Sequence, residues 1–244
     1  SPKRVSKNST MQRKPLAFAI FGCLLLLIYS PLTSYSRSSI LLVERNFFGV
    51  LRVVDSAHGT RNFMHGTTLH GAQPKSPALR LTPITYYHAK GPFGDLFNIL
   101  NARSGPQKIG VLGLGAGTIA CYAHPDRSFD FYEIDPAVVA IAENEKFFTY
   151  LSDCGSPYKV ILGDGRLTLQ DAPDASYDLL VLDAFSSDNI PMHLLTLEAF
   201  QTYMRKVKAG GIILVNISNR FVDLEPQLAA LSQITMVPSI IKYS

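Results

Sequence analysis

Apolar positions along the chain follow two regimes. Between residues 40 and 73 they come in short bursts, "ILLVERNFFGVLRVVDS" and "RNFMHGTTLHGAQ", with β-branched and aromatic residues between Gly-containing turns. That pattern predicts a small antiparallel β unit. "PKSPALRLTP" reads as a Pro-punctuated loop, and "ITYYHAKGPFGDLFNILNARSG" as a helix interrupted near Gly91 and Pro92. From residue 107 the apolar runs lengthen: "KIGVLGL", "SFDFYEID", "YKVILGD", "YDLLVLDAF" and "GGIILVNIS" read as strands. Between them lie the helix-like "GTIACYAHP", "PAVVAIAENEKFFTYL" and "LLTLEAFQTYMRKVK". Near-continuous apolar strands are buried on both faces, so this half is predicted to be a doubly wound parallel α/β sheet. In this reading Lys108 precedes the first strand and faces solvent, and the aromatic run at 147–150 is a helix face meeting the sheet. The closing "LEPQLAALSQITMVPSIIKYS" predicts one helix and one strand. Such sheets often close with further strands, so truncation at the C-terminus is expected.

Residues 15–32, "PLAFAIFGCLLLLIYSPL", carry no charge and follow Lys3, Arg4, Lys7, Arg13 and Lys14. This reads as a membrane segment or a signal h-region, with an apolar core from Leu16 to Tyr29 that is short against the roughly 20 residues of a spanning helix. The chain opens on Ser1, which reads as a piece of something longer. Three regions follow: 1–36, basic tail and membrane segment; 37–90, small β unit and lid; 91–244, a Rossmann-like donor-binding and catalytic domain. Beyond the five N-terminal cations, 18 basic residues face 19 acidic ones. That near-neutral balance argues against a nucleic-acid partner, which would need clustered Lys and Arg on the domain. Cys23, Cys121 and Cys154 are scattered, with no CxxC and no His at ligand spacing, so neither a disulfide framework nor a metal site is expected.

The candidate chemistry sits at strand ends. "GLGAG" places Gly113, Gly115 and Gly117 between the first strand and first helix, where a tight turn lets a ligand approach the backbone. On its own such a turn also serves to pack a helix on a sheet. The second strand ends in Glu133 and Asp135, about 20 residues on, where a carboxylate can hold ribose hydroxyls. The third offers Asp164, placed to accept a hydrogen bond from an adenine amino group. No GKS or GKT occurs and no basic residue lies in the glycine loop, so the pattern fits an adenosine ligand without phosphates, such as an S-adenosylmethionine-type sulfonium. The order of these motifs resembles the class I S-adenosylmethionine-dependent methyltransferase fold. NAD is the alternative ligand. Asp183 ends the fourth strand and Asp188 follows it; a carboxylate there can bind an ammonium, orient it and accept its proton.

At these residues the chain resembles the spermidine/spermine synthase family of aminopropyltransferases, in particular the spermidine synthase-like domains fused to membrane segments in bacteria. The resemblance spans roughly residues 44–225 and rests on "FFGVLRVVDS", "HGTTLHGAQ", "TPITYYH", "VLGLGAGT", "YEID", "GDGR", "YDLLVLDAFSSDNIP" and "GGIILVNISNR". It implies decarboxylated S-adenosylmethionine as co-substrate, a polyamine or other small amine as acceptor, and methylthioadenosine as product. By resemblance Gly113, Gly115 and Gly117 line the donor, Glu133 holds its ribose, Asp164 its adenine, Gln73 and Tyr87 lie on the lid side, and Asp183 is the catalytic acid. A homodimer is compatible with it. The acceptor half departs from the family pattern. Typical members separate two aspartates by two serines before a Pro, whereas "DAFSSD" puts four residues between Asp183 and Asp188, and Asn189 follows. The family's Tyr-His-Glu becomes Tyr87-His88-Ala89, one acid fewer for a polyamine.

Two other functions fit the sequence: a small-molecule methyltransferase and a non-catalytic nucleoside-binding module coupled to a membrane partner. His65 and His70 read as packing residues in Gly-containing turns, and His193 as a loop or capping residue bordering the acceptor pocket. Ser186 and Ser187 have no partnered base for nucleophilic chemistry. Because adenosine donors and polyamines are mainly cytosolic, the catalytic domain is expected on the cytoplasmic face of the membrane. With a basic N-terminal flank on a single span the domain would lie outside, so this placement predicts additional spans upstream.

Overall fold

A computed structural model of the chain describes residues 39–184, 191–218 and 223–243. The apolar segment at 15–32 lies outside them, as do Ser186, Ser187 and Asp188; among the described residues no helix is long and apolar enough to cross a membrane.

Strands β1 (Ser39–Asn46), β2 (Gly49–Asp55), β3 (Thr60–His65) and β4 (Thr68–Pro74) pair antiparallel in the order β1-β2-β3-β4. In β2, Leu51 and Val53 are fully buried while Arg52 between them and Val54 beyond are partly exposed, the period-2 pattern of a half-buried strand. His65 and His70 lie in strands rather than in the turns between them. His65 Nε2 is 2.8 Å from the Phe48 carbonyl oxygen, which ties β3 to the first hairpin turn.

The helix expected to be interrupted near Gly91 instead begins there, as Pro92–Asn101 with Pro at its start. Proline suits a first helical turn, since its fixed φ is pre-set and its missing N–H would have no partner. Ahead of it runs only a short 3-10 turn, Thr85–Tyr87.

The second sheet holds β5 (Gln107–Leu112), β6 (Arg127–Glu133), β7 (Tyr158–Leu162), β8 (Tyr177–Leu182) and β9 (Val207–Val215), all parallel, in the order β7-β6-β5-β8-β9. The chain winds outward from β5 on one side, then returns to β8 on the other, so the crevice at the carboxyl ends of β5 and β8 is the topological switch point where such sheets bind ligands. The predicted helices are shorter than expected. "GTIACYAHP" gives a 3-10 segment, Thr118–Cys121, and the long stretch after β6 breaks into Pro136–Ala142 and Tyr150–Asp153. Asn144 causes part of that break by accepting the Lys146 N–H at 3.0 Å, a turn that competes with helix continuation. The aromatic run is thus not one helix face, although Phe148 and Tyr150 are both buried. Lys108 belongs to β5 and does not simply face solvent: its Nζ lies 3.0 Å from Asp130 and sits over the Tyr177 ring. Among the described residues the helix Glu225–Thr235 is followed by no strand.

Leu51, Val53 and Phe63 of the small sheet pack in one apolar cluster with Ile109, Phe129 and Val181 of the large one. The opposite face is covered by a second cluster around Leu180, Tyr177 and Tyr203. Contrary to the expectation for the cysteines, Cys121 and Cys154 form a disulfide with Cα atoms 4.9 Å apart. Their distance in sequence, 33 residues, hid a contact that the fold creates by seating Tyr150–Asp153 against the segment after β5.

Candidate active site

The crevice encloses a cavity of about 600 Å³, in the size range of small-molecule sites. It gathers Gly113, Gly115, Glu133, Asp135, Asp164, Asp183 and Tyr87 of the residues expected from sequence. Gly117 and Gln73 stand outside its lining, and Asp188 lies outside the described residues.

Asp183 follows β8, and its N–H donates to the Leu112 carbonyl at 2.9 Å, fixing the strand end beside the glycine loop. Its carboxylate is surrounded by donors. Tyr87 Oη donates to Oδ2, Tyr86 Oη lies 3.3 Å from the same oxygen and 3.0 Å from Tyr87 Oη, and Asn216 Nδ2 donates to Oδ1 at 2.7 Å. Burial pushes the Asp183 carboxyl up to about 6, and the hydrogen bonds from Tyr87, Asn216 and Tyr86 hold it from rising further. Burial, reinforced by the Asp183 charge, raises both tyrosines well above the usual phenol range, so they stay protonated donors at neutral pH. The tyrosine pair is presented by Thr85, whose φ of 62° is left-handed for a β-branched residue. Backbone of that kind costs of order 1–3 kcal/mol and persists where the surroundings enforce it.

On the donor side, Gly113 (φ 101°) and Gly115 (φ 55°) turn the chain sharply. A Cβ at Gly113 would meet the Asp183 carbonyl oxygen at 2.5 Å, and one at Gly115 would meet the His70 carbonyl oxygen at 2.5 Å. Gly117 (φ 79°) does different work from that expected: it opens the 3-10 segment and packs on Leu151, where a Cβ would approach to 2.8 Å. Glu133 is buried, with Oε2 accepting the Leu114 N–H and Oε1 the Asp135 N–H, each at 3.0 Å. Burial raises its carboxyl against those two bonds. Asp135 caps the helix Pro136–Ala142 through the Ala137 N–H at 2.9 Å and accepts Asn46 Nδ2 at 2.8 and 2.7 Å, so it anchors the first hairpin as well as lining the cavity. Asp164 uses Oδ1 to cap its own helix through the Arg166 and Leu167 N–H groups, leaving Oδ2 3.2 Å from His193 Nε2. Gln73 is a buried tie rather than a cavity residue. Its Nε2 donates to the Arg80 carbonyl and Thr149 Oγ1, both at 3.0 Å, and its Oε1 accepts the Thr149 N–H at 3.1 Å.

Sequence reasoning missed Tyr86 and Asn216, and it read His70 as a packing residue in a turn although it lines the cavity; His193, read as a loop or capping residue bordering the acceptor pocket, lines it too. Asn216 was findable, being the first polar side chain past β9, and Tyr86 adjoins the expected Tyr87. His70 Nε2 is buried without a partner, and burial, with the neighbouring His65, drops its pKa to about 4, so the ring is neutral at pH 7. Phe47 and Phe48, at the first hairpin tip, complete an aromatic rim.

No family model matches the chain. A polyamine aminopropyltransferase of Vibrio vulnificus (strain CMCP6) is 31% identical over 116 residues, which cover 46% of this chain and 38% of that protein. A probable spermidine synthase from Corynebacterium glutamicum ATCC 13032 superposes with a TM-score of 0.59 at 17% identity, covering 73% of this chain and 63% of that one. Spermidine synthase from Thermotoga maritima gives 0.56 at 14% identity, and a spermidine synthase in complex with the transition state analogue AdoDATO gives 0.58 at 14%; each match covers 81% of this chain and 64% of the other. The chain thus spans well under half of the curated relative and just under two thirds of these solved structures. The likeness shows the fold, a class I methyltransferase-like, Rossmann-like sheet with a small N-terminal antiparallel unit, and it agrees with the resemblance read from the sequence.

Proposed function

We propose that this chain carries an aminopropyl-transfer site of the spermidine synthase type, which joins the aminopropyl group of decarboxylated S-adenosylmethionine to a polyamine. The observation that carries the proposal is the Asp183 carboxylate, held at the switch point by Tyr87, Tyr86 and Asn216 on the wall of a cavity that also presents Gly113, Gly115 and Glu133. The similarity to a polyamine aminopropyltransferase supports the same reading.

The residues suit the chemistry. The donor's ribose hydroxyls would meet Glu133, whose oxygens are fixed by backbone N–H groups, and its adenine amino group would meet Asp164 Oδ2 in place of His193. The acceptor arrives as an ammonium, pairs with Asp183, and passes it one proton. The freed nitrogen lone pair then attacks the carbon next to the sulfonium. The C–N bond forms as the C–S bond breaks, and the bonding pair stays on sulfur to give neutral methylthioadenosine. One proton is released per turnover.

The cytosolic occurrence of such substrates supports placing the domain on the cytoplasmic face of a membrane, against the orientation that the basic flank alone would give a single span at 15–32. Digestion of the domain by an external protease in sealed cells would refute that placement. For the activity, the full chain is incubated with decarboxylated S-adenosylmethionine and a panel of diamines and polyamines, and mass spectrometry follows the aminopropylated amine and methylthioadenosine. Both are expected from the parent chain and neither from Asp183→Asn. Methyl transfer from intact S-adenosylmethionine instead, or donor binding without any product, would overturn the assignment.

A further inference from the structure

The disulfide lies at the joint between the two halves of the proposed site. Cys121 ends the 3-10 segment that runs out of the glycine loop, and Cys154 follows the helix Tyr150–Asp153. That helix holds the lid side in several places. Tyr150 Oη donates to the Ala72 carbonyl at 2.8 Å, Thr149 is bound to Gln73, and Asp153 pairs with Arg80 at 2.8 Å. The same helix touches the glycine loop through Leu151, against which Gly117 packs. On the other side of the bridge Tyr122, next to Cys121, donates its hydroxyl to the Tyr87 carbonyl and stacks on Phe97 with ring centroids 4.1 Å apart. Tyr87 in turn donates to Asp183. One covalent bond therefore braces the donor loop and the residue that orients the reacting carboxylate.

Cys121 and Cys154 are both only partly buried, so small thiols can reach them. In the cytosol disulfides are mostly transient and redox-sensing, because small thiols keep cysteines reduced. We propose that Cys121 and Cys154 form a reversible thiol–disulfide switch, in which the bridged form orders the donor loop and the reduced form loosens it. Closing the bridge requires a small-molecule disulfide. One cysteine thiolate attacks it to give a mixed disulfide and one thiol; the second cysteine displaces the other thiol, so two protein thiols are oxidised and one external disulfide is reduced. The effect on catalysis, though not on loop order, rests on the aminopropyl-transfer reading.

The test uses the full chain poised in oxidised and in reduced glutathione buffers. Alkylation followed by mass spectrometry reads the thiol state, hydrogen exchange reads residues 113–122, and calorimetry reads methylthioadenosine binding. The oxidised form is expected to resist alkylation at both positions, to protect 113–122, and to bind methylthioadenosine about fivefold or more tighter than the reduced form, the lower end of ordinary coupling between sites. Cys121→Ser should behave as the reduced form in either buffer; if that variant does not fold, the two buffers on the parent chain still decide. Full alkylation in the oxidised buffer overturns the proposal. So does a bridge that forms but leaves exchange across 113–122 unchanged, which would mark it as a passive staple. Failure to bind methylthioadenosine in both buffers would count against the donor assignment, while exchange still judges the switch.

Discussion

Asn216→Ala removes one of the hydrogen bonds that keep Asp183 ionised, and its consequence can be sized. The lost bond is 2.7 Å long and runs to a carboxylate oxygen. Bonds to charged groups contribute about 1.5–3 kcal/mol, and 1.36 kcal/mol corresponds to one pKa unit, so the Asp183 carboxyl should move from about 6 to roughly 7–8. The assay is kcat/KM for aminopropyl transfer from pH 6 to 9, expressed as the ratio of variant to parent, which cancels the titration of the amine substrate. At pH 9 both carboxyls are ionised and the ratio should approach 1. At pH 6 the parent is about half ionised and the variant between about 7% and about 0.6% ionised, so the ratio should fall to between about one seventh and one eightieth. A ratio that is flat with pH would refute the reasoning. In that case the loss would come from the turn that Asn216 also holds, through its Oδ1 and the Ser218 N–H at 3.0 Å.

Asp183→Asn should abolish transfer and stabilise the protein at neutral pH. The folded carboxyl, raised from 3.8 to about 6, binds its proton more tightly than the unfolded one, so stability falls as pH rises from about 4 to about 6 and the full cost, up to about 3 kcal/mol, persists above. Urea unfolding should show the variant more stable at pH 7.5, with the difference closing near pH 4; a difference that does not change with pH defeats the assignment of the cost to Asp183. Gly115→Ala puts a methyl group 2.5 Å from the His70 carbonyl oxygen at a φ of 55°. Calorimetric binding of methylthioadenosine should weaken about tenfold or more, and the chain should lose about 1–3 kcal/mol of stability. Parent-like affinity would place the donor away from this loop.

The parallel sheet was legible because its strands are apolar on both faces, a pattern that survives without knowledge of neighbours. The strand-end acids were legible for the same reason: once β6, β7 and β8 are located, Glu133, Asp164 and Asp183 must fall at one edge. What was hidden depends on contacts distant in sequence. The 33-residue separation of Cys121 and Cys154 carries no local signal, and Gln73 reads as a site residue until its amide is seen bound to Thr149, 76 residues away. Gly117 and Gly115 look alike in the motif, yet one faces Leu151 and the other the cavity. Helix lengths were overestimated where side chains such as Asn144 bond their own backbone, since apolar periodicity does not register that competition.

The instability assigned to Asp183 and the chemistry proposed for it have one origin. In water an alkylammonium of lysine type, near 10.4, is about 6.5 pKa units above an aspartate near 3.9, so passing its proton to the acid costs about 9 kcal/mol. With Asp183 at about 6 the gap narrows to roughly 4.4 units, or about 6 kcal/mol. Burial lowers the pKa of an incoming ammonium as well, narrowing it further. A wholly apolar site would carry this too far, because a carboxyl much above 7 would arrive protonated and could neither pair with the ammonium nor accept its proton. Tyr87, Tyr86 and Asn216 prevent that by favouring the ionised form. The site therefore needs the burial and the three donors together, and removing either should leave an acid that binds the amine poorly or an anion too weakly basic to activate it.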